Sequence, residues 1–96
     1  MLINKGVSPN EVVTIKTQAG EEIVAKLVEE TGTHYKVNKP MVLTMGPQGV
    51  GMMPYMITVG PDTDVPLNKN NVMVVLPTDK SAADQYTQSV TGIKLV

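Results

Sequence analysis

The residues that decide the fold are VVTIKT (12–17), QAGE (18–21) and EIVAKLV (22–28). The first run is β-branched and alternating, so Val13 and Ile15 fall on one face of an extended chain. In the last run Ile23, Ala25 and Leu27 share a face, while Glu22, Val24, Lys26 and Val28 share the opposite one. Successive side chains of a strand point to opposite surfaces, so each run has one face to bury. The link between them is short and contains Gly20, which suits a reversal of the chain. Two alternating runs joined in this way predict a β-hairpin with its apolar face turned to a core.

The pattern continues on both sides of this hairpin. EETGT (29–33) is the next turn, and a third strand starts at about His34 with Tyr35 and Val37 facing inward. Pro40 interrupts or bends it, because proline has no N–H to give to a ladder. Met41–Met45 then continue in extended form. GPQGVG (46–51) reads as a loop, and Met52–Val59 as a fourth strand with Tyr55, Ile57 and Val59 in one phase. A turn over 60–64 and a polar turn over 67–71 lead to the last strand, Val72–Leu76, which Pro77 ends. Beyond it, Thr78 or Asp79 can cap a helix on which Ala82, Tyr86 and Val90 share a face. Gly92 supplies the C-terminal stop signal. Near the start, Ser8-Pro9-Asn10-Glu11 has capping-box spacing, but strand formers begin at Val12, so a single turn is expected there. The prediction is a mainly all-β fold, a small, strongly bent, five-stranded barrel over residues 1–77 with a C-terminal helix and tail over 78–96.

Composition narrows what such a fold can do. Ninety-six residues suit one core, and the aromatic side chains are only Tyr35, Tyr55 and Tyr86, with seven Met in their place. A domain of this size buries a modest share of its surface and often gains stability by association. The absence of cysteine excludes disulfides and thiolate metal sites, and His34 alone makes no zinc site. No run approaches the ~18 apolar residues of a membrane span. Met1–Lys5 is too short and polar for a signal peptide, which points to a cytoplasmic protein. Ser8, Ser81 and Ser89 stand in no nucleophile-elbow context. Glu21–Glu22 and Glu29–Glu30 read as charged turn pairs that keep strand ends soluble. The glycine loop lacks the Lys-Ser/Thr ending of a phosphate loop. The expectation is therefore no enzyme, no cofactor and no small-molecule substrate. Eight lysines, nine acids and no arginine argue against strong nonspecific duplex binding. Met45, Met52, Met53 and Met56 leave two readings open, an adaptable contact surface or core filling.

Two segments carry a family resemblance. Val13 to Val37, with Val13 and Ile15, then Gly20, Ile23, Ala25 and Leu27, then Thr31 to Val37, resembles the first Sm motif. Ala25 stands where that family usually has Gly. Leu67-Asn68-Lys69-Asn70-Asn71-Val72, running on to Val75, resembles the second motif, with Asn68 in place of its Arg and Lys69 in place of its Gly. Together they cover about half of the chain. Lys39–Thr44, the Met-rich glycine loop and the tail from Asp84 to Gly92 are similar to the small Sm-like proteins of marine cyanophages, which would place the protein in an infected host cell.

The resemblance implies a barrel of SH3 type whose subunits associate into a homo-oligomeric ring by pairing their fourth and fifth strands. Independently, an open barrel leaves strand edges, and pairing them in a closed ring removes an aggregation hazard. The interface expected on this basis is Val72, Met73, Val74 and Val75 with Ile57 and Val59. The resemblance further implies single-stranded RNA, or possibly DNA, bound around the pore in a processing or chaperone role. The corresponding positions are Thr33, His34 and Tyr35, and Asn68, Lys69 and Asn70. His34 or Tyr35 can stack on a base, and Lys69 can meet a phosphate, although as a point charge without the fork of Arg. A structural or adaptor ring that binds protein, for example in phage morphogenesis, is the alternative, and the acidic balance and missing Arg favour it.

Overall fold

A computed structural model describes residues 7–93; Met1–Lys5 and the end of the expected tail, beyond Ile93, lie outside them. The chain runs β1 (Val12–Thr17), β2 (Glu22–Glu30), β3 (His34–Gly46), β4 (Gly49–Pro54), β5 (Asp64–Asn68), a 3-10 turn (Lys69–Asn71), β6 (Val72–Pro77) and α1 (Lys80–Ile93). All strand pairs are antiparallel. The sheet order is β4-β3-β2-β1-β6, with β5 also on β3. β4 and β5 take successive halves of one edge of β3, pairing Met41–Gly46 and His34–Asn38 respectively. Among the described residues the sheet does not close. Before the first strand, the Ser8 N–H donates to Glu11 Oε1 at 2.8 Å, and the expected single turn forms there.

The β1–β2 hairpin forms as the alternation requires, with Val13 opposite Ala25 and Ile15 opposite Ile23. Their side chains, with Leu27 and Val37, are fully or almost fully enclosed, and Val65 and Leu67 join them. Enclosing each such Ile or Leu contributes roughly 1.5–3 kcal/mol. Tyr35 packs partly buried against the same layer, on the inward phase expected of it.

A second layer lies on the opposite face of the sheet. Val24, Met41 and Tyr86 are buried there, flanked by Val12, Leu43, Met52 and Val90. The helix therefore lies on its own sheet. It does so through Ala83, Tyr86 and Val90, whereas Ala82, expected on that face, is exposed. Gly92, expected to stop the helix, is inside it. Asp79 directly precedes the helix and its carbonyl accepts from the Ala83 N–H at 2.8 Å, while Thr78 ties back to Thr14 by a 2.8 Å hydroxyl contact.

What brings Met41 to the helix side is an irregularity in β3. Asn38 pairs with Lys26 and Met41 with Val24, so three steps on β3 match two on β2. Lys39 absorbs the extra residue at φ +50°, and Pro40 follows it, buried. One extra residue reverses which face later side chains occupy. Val37 consequently points to the inner layer, and Met41 and Leu43 to the helix. The bulge also frees backbone carbonyls, and the Tyr86 hydroxyl donates to them, at 2.8 Å to Lys39 O with Asn38 O at 3.2 Å. Burial pushes this hydroxyl up from 10.0 to about 12.

The strand count differs from the expected five. GPQGVG (46–51) is not a loop: β3 reaches Gly46, Pro47 and Gln48 make a two-residue turn, and β4 starts at Gly49, whose φ of +112° suits glycine. The strand expected over 52–59 ends at Pro54, and 55–63 is irregular. Ile57 and Val59 therefore lie on no strand edge. The sixth strand, β5, occupies residues read as turns and linker. Its Val65 and Leu67 are buried on alternate positions and Pro66 is exposed between them.

Candidate functional site

Two loops that are far apart in the sequence meet at one end of the sheet. The first is Thr31–Thr33, between β2 and β3. Thr31 closes it, its N–H donating to His34 O at 2.9 Å and its hydroxyl oxygen accepting from the His34 N–H at 3.0 Å. The second is the 3-10 turn, capped by Asn68, whose side-chain oxygen accepts from the Asn70 N–H at 2.8 Å. Asn is well suited to this cap because its short side chain reaches the backbone two residues on. Pairing of β3 with β5 sets His34 opposite Asn68 and Tyr35 opposite Leu67. The Lys69 N–H then donates to Thr33 O at 2.9 Å and ties the loops together.

All six sequence-predicted positions, Thr33, His34, Tyr35, Asn68, Lys69 and Asn70, are thus gathered at one end of the β3–β5 ladder. Thr33, Asn68 and Asn70 are exposed, and His34, Tyr35 and Lys69 are half-buried. Thr33 Oγ1 and His34 Nδ1 are 2.7 Å apart, which orients the imidazole. Lys69 Nζ stands 5.0 Å from the centroid of the Tyr35 ring, a cation–π distance. It also forms a 2.7 Å ion pair with Glu30 Oε2. Sequence reading missed Glu30 as a member of this group and took it as a solubilising turn residue. The signal that locates it is register, since Glu30 pairs across β2–β3 with Tyr35.

Compared with family models and with curated proteins, the chain matches none. Among the described residues no group of His, Cys, Asp and Glu could hold a metal ion, and no helix is long and apolar enough to cross a membrane. Lys36, Lys39, Lys69 and Lys80 are each ion-paired, with Glu29, Asp62, Glu30 and Asp84. A cleft of about 590 Å³ between the β3 bend, the 55–63 segment and Val90 is lined largely by apolar side chains, including Met41, Ile57 and Val59. Another, of about 750 Å³, borders the joined loops at Asn68 and Asn71.

The expected interface residues divide. Val72 and Val75 face the inner layer, whereas Met73 and Val74 are exposed, Met73 at 62%. Leu76 is exposed too. β6 ladders with β1 on one side and carries no strand of the described residues on the other. β4 ends the sheet on the far side with Val50 and Met53 exposed. The methionines also divide, Met41 filling the core and Met45, Met53, Met56 and Met73 facing outward.

Proposed function

We propose that this chain is an Sm-like subunit whose β4 and β6 edges pair between copies in a closed homo-oligomeric ring, and that the joined loops bind single-stranded nucleic acid, RNA or possibly DNA. The Sm-like reading is supported by the sheet order, in which β4 and β5 share one edge of β3. The two are equivalent to a single fourth strand interrupted by residues 55–63, with β6 as the fifth. Assembly is supported by apolar side chains at both unpaired edges, because exposed edges of this kind are ready templates for pairing.

The observation that carries the binding role is the bond between the Lys69 N–H and Thr33 O. It gathers the half-buried Tyr35 ring, an imidazole, amides and an ammonium at one end of the sheet, with His34 and Tyr35 on opposite faces of β3, and a ring of copies would repeat that set around its axis. No catalytic step is part of this reading.

A second reading, a structural or adaptor ring that binds protein, as in phage morphogenesis, is favoured by the four ion-paired lysines and the net charge of −1. One titration separates the two. Labelled uridine-rich, adenine-rich and single-stranded DNA oligomers are added to the protein across a salt series. Binding that weakens with salt and falls on Lys69→Ala or His34→Ala supports the nucleic-acid reading. Absence of binding at low salt, by the native chain and by variants that keep His34 and Lys69, overturns it and leaves the adaptor ring.

A further inference from the structure

The Glu30–Lys69 pair has two consequences at the joined loops. It sets a carboxylate 2.7 Å from the Lys69 ammonium, and that ammonium lies 5.0 Å from the centroid of the Tyr35 ring. A single strand needs the same two groups, a cation for its phosphates and a ring face for its bases. Both are engaged within the chain.

We propose that Glu30 is a built-in anionic competitor at this site. Its carboxylate stands where a backbone phosphate would, and it keeps Lys69 over Tyr35. A bound strand takes Lys69 from Glu30 and uncovers the ring in the same movement. This rests on the nucleic-acid reading and adds a residue that sets its strength.

The backbone builds the arrangement. Register places Glu30 opposite Tyr35, and the Lys69 N–H to Thr33 O bond fixes the root of the lysine beside them. The closed form is also easy to open. The side chains of Lys69 and Glu30 remain 30% and 42% exposed, and ion pairs in such positions are weak. Glu29 is a natural control. It is the neighbouring carboxylate and carries the same charge, but it pairs with Lys36 at 3.5 Å.

The test compares the full chain with Glu30→Gln, Glu29→Gln, Lys69→Ala and the double variant Glu30→Gln/Lys69→Ala. Each is titrated with a uridine-rich oligomer at low salt, after equal thermal midpoints show that all are folded. Glu30 acts through Lys69, so the double variant is the decisive arm. The expected result is that Glu30→Gln binds roughly fivefold more tightly, the equivalent of one exposed ion pair. Glu29→Gln is expected to change little, and the gain to vanish in the Lys69→Ala background. Binding by Glu30→Gln alone also supports the proposal and makes the native site self-blocked. If the native chain binds and Glu30→Gln is no tighter, or the gain persists without Lys69, the competitor role is overturned and the binding reading stands. If neither form binds, both are overturned.

Discussion

The two halves of β3 run through different surroundings. His34–Asn38 lie between β2 and β5, and Val37 is fully enclosed. Met41–Gly46 pair with β4 along their length but with β2 only at Met41 and Val42, and Met45 reaches 84% exposure near the end of the strand. The second half is the more apolar, with Met41, Val42, Leu43 and Met45 against Tyr35 and Val37, yet it is the less enclosed, so hydrophobicity does not set which half is buried. The difference lies in what stands opposite. The first half faces side chains of β1, β2 and β5, whereas the second starts beneath the helix and runs on past it. The first is covered by its own chain, and the second brings exposed apolar surface to the β4 side of the sheet, where the proposed pairing of copies would cover it.

The largest effect expected from this contrast is in the first half. Leu27 pairs with Val37 in the enclosed layer, and Leu27→Ala is expected to cost about 2–5 kcal/mol in urea unfolding at fixed protein concentration. A loss below about 1 kcal/mol would mean that this layer is not the stable part of the molecule.

A smaller effect belongs to the bend where the halves meet. Tyr86→Phe removes the hydroxyl that donates to Lys39 O and is expected to cost about 1 kcal/mol. The sign of its pH dependence follows from the hydroxyl being raised from 10.0 to about 12. Folding favours the neutral phenol, so its contribution is whole below pH 10 and lost as the pH rises through 12. The native chain should lose more stability across that window than Tyr86→Phe does, and equal losses would sever the helix from the bend.

The smallest effect on folding is expected at the far end. Met45→Ser should leave the unfolding free energy of the dissociated chain within about 0.5 kcal/mol of native. It should nevertheless weaken self-association at micromolar concentration, read by sedimentation velocity. A stability loss like that of Leu27→Ala would erase the distinction between the halves.

The first half was the legible one. Ile23, Ala25 and Leu27 alternate without exception, and nothing in β1 or β2 disturbs the hairpin they define. The second half turns on Lys39, which adopts a positive φ that its residue type does not announce; Pro40 marked the place of the bend but not the change of face at Met41. β5 had a signal, Val65 and Leu67 two apart, but five residues with Pro66 among them also fit a linker. The site was readable as two loops through the family resemblance. Glu30 was not, because a residue's neighbour across a ladder depends on register, and bulges in β2–β3 shift it.

The central claim, that the β4 and β6 edges pair between copies, is tested most directly by the mass of the native chain in solution. Light scattering at micromolar concentration should give one species at an integral multiple of 10.3 kDa, above a dimer as a closed ring of such pairings requires. A stable 10.3 kDa monomer at that concentration would contradict it.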